Sequence, residues 1–255
     1  MERKFKFCVG EFYHIYNRGV DKRKIFLKKK DYERFIYSLY EFNRETRVLN
    51  FKRRVEGFGG EIEIDREIDR GRASLKSFKS SLKIKVSERL VDIACFCLMP
   101  NHFHLLLSQK KEEGITKFLL KISTGYAMYF NKKYNRTGAL FEGRFKAIHI
   151  DKESYFLQLS RYIHLNPLEI IVPQWKEESI KNHKKARKFL VNYKWSSFPY
   201  YLRESETNSK EDLLSCIINS EIIRAYFKNS KEYEKFVYSW VGLGDKEKIE
   251  QLLLE

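Results

Sequence analysis

The sequence contains few residues that could hold a fold together by covalent or metal cross-links. Only four of its 255 residues are cysteines, and none of them form a Cys-x-x-Cys pair, which argues against a disulfide framework and a structural zinc ribbon. Cys95 and Cys97 lie in an apolar run, where we expect buried thiols on a strand. With only four prolines and 43% hydrophobic residues, the chain can build its fold around a hydrophobic core.

Long apolar segments are also missing. No run approaches the length of a membrane helix, and the stretch from Met1 to Phe12 is charged and lacks the apolar region of a signal peptide. We therefore expect a protein of the reducing cytoplasm that has no membrane partner.

The sequence has fewer acidic residues than basic ones. Thirty-four Asp and Glu face fifty Lys and Arg, which gives a net charge of +16 and a pI near 9.5. A cationic surface of this size attracts polyanions, and neutralised phosphates release counterions on binding. Because many soluble proteins are merely basic, the charge alone only suggests a nucleic-acid partner, which would place the protein at the nucleoid.

Hydrophobic periodicity predicts an α+β domain. Short runs rich in aromatic, branched and other apolar residues indicate strands at 12–18, 91–99, 102–108 and 145–150, and the helical spacing of apolar residues indicates helices at 31–42, 114–131 and 151–165. We expect Asp31 and Asp151 to cap the first and last of these helices. Hairpin connections rather than long crossovers favour one antiparallel sheet covered by helices.

Two segments differ from this domain in composition. Residues 45–90 are densely charged and partly alternating, which we interpret as an inserted arm. The chain after Trp195 has a helical pattern, including 211–228 and 231–240. We therefore expect a domain at 1–202 that carries the arm, followed by a small helical appendage at 203–255.

The segment Pro100-Asn101-His102-Phe103-His104 carries the clearest chemical signal. Side chains alternate between the faces of a strand, so His102 and His104 point the same way while Phe103 points into the core. Two imidazoles on one face can share a metal ion. The alternative is a pair of histidines without a metal.

A second candidate group ends the last predicted helix, Arg161-Tyr162-Ile163-His164-Leu165-Asn166-Pro167. Tyr162 and Asn166 share a face if the helix continues that far, although a residue before proline is biased away from helical geometry. His164 is a competing ligand, but it should point away from the face of Tyr162. In a chain with sixteen tyrosines, position alone would not select Tyr162.

In combination, these motifs resemble the REP-associated tyrosine transposases, a group of the single-tyrosine, single-strand DNA transposases with a His-hydrophobic-His (HUH) motif. The resemblance covers about residues 10–45 and 90–200, in the right order. The supporting blocks are Pro100 to Leu107, Tyr13-His14-Ile15-Tyr16-Asn17-Arg18-Gly19, Gly138-Ala139-Leu140-Phe141-Glu142-Gly143-Arg144, Arg161 to Pro167 and Tyr193-Lys194-Trp195-Ser196-Ser197.

The resemblance implies a fold, a site and a reaction. The fold is the ferredoxin-like sheet of the HUH nucleases. His102 and His104 would bind a divalent ion, Mg²⁺ or Mn²⁺, with Asn166 completing the metal site. Tyr162 would attack hairpin-bearing single-stranded DNA, giving a 5′-phosphotyrosine link and a free 3′-hydroxyl, so that strands are cleaved and rejoined without ATP.

Basic residues distributed over the chain are candidate phosphate contacts. We expect DNA to contact Arg18, Lys22, Arg23, Arg136, Arg144, Lys146, Lys184 and Lys185. Two other functions stay open: a non-catalytic nucleic-acid-binding protein, and an HUH replication initiator or relaxase. Both a monomer and a homodimer are compatible with the sequence.

Overall fold

The computed structural model describes residues 6–45, 88–177, 180–203 and 213–241. Four strands form one sheet: β1 (Phe12–Arg18), β2 (Val91–Met99), β3 (His102–Gln109) and β4 (Lys146–Ile150). The predicted arm at 45–90 lies almost entirely outside the described residues.

The sheet has the strand order β2-β3-β1-β4, and every neighbouring pair is antiparallel. With helices between β1 and β2 and between β3 and β4, this is the order of a ferredoxin-like sheet, and the predicted fold class is confirmed. The predicted bounds of β1 and β2 agree with the structure, while β3 ends one residue later and β4 begins one residue later than expected.

Two helices cover one face of the sheet. They are α1 (Lys29–Glu41) and α2 (Gly114–Lys133). Phe35 of α1 and Tyr126 of α2 meet edge to face, with ring centroids 5.1 Å apart, and Phe35 lies at the same distance from Phe103 of β3. All three side chains are fully buried, so this face forms the aromatic centre of the core.

The opposite face carries α3 (Glu153–Leu165), which continues into a 3₁₀ turn at Asn166–Ile170. The prediction that Asp151 caps this helix was wrong. Lys152 occupies the N-cap in an extended conformation, its side chain makes no capping hydrogen bond, and the acidic residue of the first turn is Glu153.

The remaining α-helices among the described residues are short and follow the sheet. They are α4 (His183–Asn192), α5 (Phe198–Tyr201), α6 (Leu213–Ile217), α7 (Glu221–Arg224) and α8 (Ser230–Tyr238). Helix α8 and the residues after it pack on α3: the Arg161 guanidinium lies 3.7 Å from the ring centroid of Phe236 and 4.5 Å from that of Trp240. The division into a domain at 1–202 and an appendage at 203–255 stays a prediction.

In the part of the chain that the structure describes, no helix has both the length and the apolar character that crossing a membrane requires.

Asp31 joins the two helices of the first face. Helix α1 begins two residues before the predicted cap, so Asp31 is its third residue, and its carboxylate accepts the backbone amides of Leu27 and Lys28. Three side chains near the end of α2 also donate to this buried carboxylate: Tyr129, Lys133 and Tyr134. Burial raises the pKa of Asp31, but these hydrogen bonds outweigh it and hold the pKa below its ordinary value.

Asp31→Asn should lower the free energy of unfolding at pH 7 by about 1–3 kcal/mol, because buried donors lose a charged acceptor. Since folding lowers the pKa of Asp31, its stabilisation is complete above the ordinary carboxyl pKa of about 4. That stabilisation is lost as the pH falls through the lowered value. Urea unfolding followed by circular dichroism should show the gap between wild type and variant closing below about pH 4.

The matched control is Asp21→Asn, since the Asp21 side chain is 82% exposed. Equal losses in the two variants, or a gap that does not depend on pH, would contradict this role of Asp31.

Candidate active site

The candidate site lies where β3 begins, at the tight turn of Pro100 and Asn101. Three backbone bonds tie this turn to the end of β1 and the loop after it: Gly19 N to Asn101 O, and Ile25 N and Phe26 N to Pro100 O. A Cβ on Gly19 would stand 2.3 Å from the carbonyl oxygen of Arg23. Glycine is therefore required for this close approach.

The pairing of β1 with β3 sets the residues around the two predicted histidines. Arg18 lies opposite His102 and Tyr16 lies opposite His104. The imidazole rings of His102 and His104 lie on one face with centroids 4.9 Å apart, while Phe103 between them is buried against α1. The structure thus brings the His-x-His pair together on the face that α3 covers.

His102 is held between two asparagines. Its Nδ1 lies 2.7 Å from Asn101 Oδ1, and its Nε2 lies 3.2 Å from Asn166 Oδ1. Burial is the main cause that lowers the pKa of His102 to about 4, so at neutral pH the ring carries one proton. If that proton lies on Nδ1, which makes the shorter contact, the lone pairs of His102 Nε2 and Asn166 Oδ1 face each other. Two ligands of one cation are arranged in this way.

Asn166 keeps helical geometry in spite of the proline that follows it. Its φ and ψ are −50° and −37°, so the expected bias away from the helix does not hold here. Tyr162 and Asn166 therefore share one face of the helix, with the backbone N–H of Asn166 bonded to Tyr162 O. The Asn166 side chain is fully buried and its Nδ2 has no hydrogen-bond partner.

His14 is a site residue that the sequence reasoning missed. Its Nε2 lies 2.9 Å from His104 Nδ1, and both side chains are buried. Burial lowers the pKa of His14 to about 3 and the pKa of His104 well below its ordinary value. Both rings are therefore neutral, and if His104 donates its Nδ1–H to His14, its lone pair lies on Nε2. The strand alternation that pairs His102 with His104 also places His14 on their face.

Tyr162 lies against this group. Its ring meets that of His104 edge to face at a centroid distance of 5.6 Å, and the residue is only 1% exposed. The Lys176 ammonium donates a hydrogen bond of 3.2 Å to the Tyr162 hydroxyl oxygen. Lys176 was not singled out from the sequence.

His164 takes no part in the group, as expected. Its Nε2 lies 2.7 Å from Ser197 Oγ and its Nδ1 lies 2.7 Å from the Tyr233 hydroxyl. Burial lowers its pKa to about 3. A neutral histidine with both ring nitrogens bonded serves packing between α3 and α8.

The side chains of this group are of the kind that bind divalent metal ions. Among the described residues, no three His, Cys, Asp or Glu side chains come together in a way that could hold a metal, so a third protein ligand beside the two histidines would be of another kind, and the Asn166 amide oxygen faces His102 Nε2. The neutral imidazoles, the facing Asn166 Oδ1 and the unpartnered Nδ2 are consistent with His102, His104 and Asn166 as that set.

Three of the predicted phosphate contacts gather at one rim. Arg18 forms a two-point ion pair with Glu142. Hydrogen bonding to Arg18 is the main cause that lowers the pKa of Glu142, and the charges of Lys146 and Lys22 lower it further. The charge of Arg18 also acts on His102. An exposed cationic rim therefore borders the histidine pair.

The other predicted contacts are distributed over the surface. Arg23 pairs with Asp21 and donates to Val20 O, and the Arg136 guanidinium lies 5.8 Å from the ring centroid of Phe130. The rest are exposed: Arg144, and Lys184 and Lys185 in the first turn of α4. The structure shows none of these in contact with the histidine pair.

A family model supports the class of protein that these features indicate. Residues 47–166, a little less than half of the chain, match the model described as Transposase IS200 like. The match spans the His102–His104 pair and reaches Tyr162 and Asn166, while the blocks around Tyr13 and Tyr193 lie outside it. This part of the chain is similar to the IS200-like transposases, and the resemblance predicted from its motifs is confirmed.

One solved structure is also similar, a REP-associated tyrosine transposase bound to a REP hairpin. It is 11% identical, the likeness covers 83% of this chain and 90% of that chain, and the TM-score is 0.45. A likeness of this size carries no functional argument. No curated protein matches the chain.

The contact between His14 and His104 predicts that His14→Phe weakens Mn²⁺ binding by about 10- to 100-fold, because the imidazole that orients a ligand histidine is lost. Electron paramagnetic resonance of free Mn²⁺ during titration measures this affinity. The control is His149→Phe on the neighbouring strand, a half-exposed histidine bonded to Glu11. Unchanged affinity in a folded His14→Phe protein would refute the orienting role.

Proposed function

We propose that the protein is a metal-dependent endonuclease and strand transferase that acts on hairpin-bearing single-stranded DNA, with Tyr162 as its nucleophile. The observation that carries this proposal is that the end of α3 lies against the start of β3. The Tyr162 ring lies against His104, and Asn166, one turn later, faces His102 Nε2 at 3.2 Å. A tyrosine beside two histidines and an amide oxygen matches the parts that the resemblance implies.

Tyr162 would carry the covalent step. An O–P bond forms between its phenolic oxygen and the scissile phosphorus, and the bond to the 3′ oxygen breaks. The phenolic proton passes to solvent, and the leaving 3′ oxygen takes a proton from solvent. Because one phosphodiester replaces another, the link conserves its free energy and the reverse step rejoins strands without ATP.

The metal ligands would be His102 Nε2, His104 Nε2 and Asn166 Oδ1. When bound, a divalent cation draws electron density from a phosphate oxygen and stabilises the charge that develops in transfer. On softness grounds, two imidazoles suit Mn²⁺ better than Mg²⁺, though Mg²⁺ is the more abundant ion in cells. His14 holds His104 in place, and Asn101 holds His102.

DNA binding would rest on the cationic rim of Arg18, Lys22 and Lys146. The Lys146 ammonium lies 5.6 Å from the ring centroid of the half-buried Tyr16, where a cation and an aromatic face would meet an unpaired nucleotide. The more distant predicted contacts, including Lys184 and Lys185, would bind the flanking backbone. Such contacts make affinity fall steeply with salt.

A second candidate is a nucleic-acid-binding protein that does not cleave. One observation favours it: Tyr162 is 1% exposed, so a phosphate reaches the phenol only if its covering side chains move. The third reading, a replication initiator or relaxase, shares the chemistry and differs in its target.

Incubation of the protein with Mn²⁺ and labelled single-stranded hairpin oligonucleotides, taken from repeats beside its gene, should give a covalent adduct on denaturing gels. Tyr162→Phe and EDTA should each abolish the adduct, because the first removes the nucleophile and the second the cation. Tyr155→Phe, two turns earlier on the same helix, is the matched control and should retain it. Mass spectrometry of the digested adduct should place the nucleotide on Tyr162.

Tight, salt-sensitive hairpin binding without an adduct would overturn the catalytic proposal in favour of the binding protein. Cleavage only at a plasmid-type origin would favour the initiator or relaxase.

A further inference from the structure

Lys176 is a basic residue beside Tyr162 that no motif includes. It follows Trp175, which is buried and whose backbone N–H bonds Val172 O. This turn comes directly after the 3₁₀ segment that continues α3. The side chain is half-buried, so the ammonium has protein on one side and solvent on the other.

The ammonium makes two contacts with Tyr162. It donates to the phenolic oxygen at 3.2 Å and lies 5.0 Å from the ring centroid. Burial is the main cause of the lowered pKa of both His102 and His104, and the charge of Lys176 lowers both further. Lys176 thus stands within electrostatic range of both histidines.

A cation so close to a metal site would weaken metal binding if nothing lay between them. A phosphate group removes this repulsion, because its oxygens can face a metal ion on one side and an ammonium on the other. The position of Lys176 therefore suits a site that is completed by a scissile phosphate next to Tyr162.

We propose that Lys176 is a further catalytic residue of the reaction: its ammonium holds the Tyr162 oxygen in line with the scissile phosphate and stabilises the negative charge that develops there. This inference rests on the proposed function. In cleavage, the ammonium stays protonated while the phenolic oxygen bonds phosphorus and the 3′ oxygen departs. In rejoining, the same group stabilises the departing phenolate, so both directions depend on it.

The competing interpretation is that Lys176 only shields Tyr162 from the substrate. Lys176 lies over a phenol that is 1% exposed, and a side chain that only blocked the site would slow the reaction. The two roles predict opposite effects of removing the ammonium.

The test measures the initial rate of adduct formation with saturating hairpin oligonucleotide and Mn²⁺ in wild type, Lys176→Met and Lys176→Arg. Lys181→Met, an exposed lysine of the same segment, is the control. Loss of a donor to developing charge lowers the rate by roughly 10²-fold in Lys176→Met. Lys176→Arg recovers part of the loss because it keeps the charge with another geometry. Hairpin affinity without metal changes little, since one cation among many is lost.

Each outcome has a distinct meaning. An adduct in wild type with equal rates in Lys176→Met and Lys181→Met overturns the role of Lys176 and leaves the proposed function standing. A faster rate in Lys176→Met would show that Lys176 only shields Tyr162, and this result also overturns the catalytic role of Lys176. No adduct in wild type overturns the proposed function itself. A slow Lys176→Met with unchanged thermal stability and partial rescue by arginine supports the inference, because a packing role would give no rescue by charge.

Discussion

The site depends above all on the antiparallel pairing of β1 with β3. In this register His14 can reach His104, Arg18 lies opposite His102, and Gly19 bonds the turn before the His-x-His pair. A slip of one residue would turn every side chain of β1 to the other face. The histidine pair would then lose its orienting neighbour, and the aromatic core on the α1 and α2 face would lose its apolar partners.

The second constraint is electrostatic. Burial keeps His14, His102 and His104 neutral, so the centre of the site presents lone pairs rather than charge, while cations occupy its edge. A polyanion is drawn to such an edge, and a metal ion suits such a centre. The chain's net charge of +16 therefore acts locally, through Arg18, Lys22, Lys146 and Lys176, as well as over the whole surface.

Local patterns predicted the elements of this fold well, and its tertiary contacts poorly. Aromatic, branched and apolar runs predicted the strands at 12–18 and 91–99, and the alternation of side chains along a strand placed His102 and His104 on one face, because strand geometry is a property of neighbouring residues. His14 and Lys176 contact partners 90 and 14 residues away, and no local periodicity indicates such contacts. The sequence left the backbone of Asn166 open, because the proline after it disfavours helical geometry, and only the folded structure shows that the helix continues to this residue.

The proposed function requires that His102, His104 and Asn166 of one chain hold a single cation beside Tyr162. Anomalous diffraction from crystals grown with Mn²⁺ tests it most directly. We expect one strong peak at bonding distance from His102 Nε2, His104 Nε2 and Asn166 Oδ1, on the side of the Tyr162 hydroxyl. A peak elsewhere, or full Mn²⁺ loading with no peak at these three atoms, would contradict it.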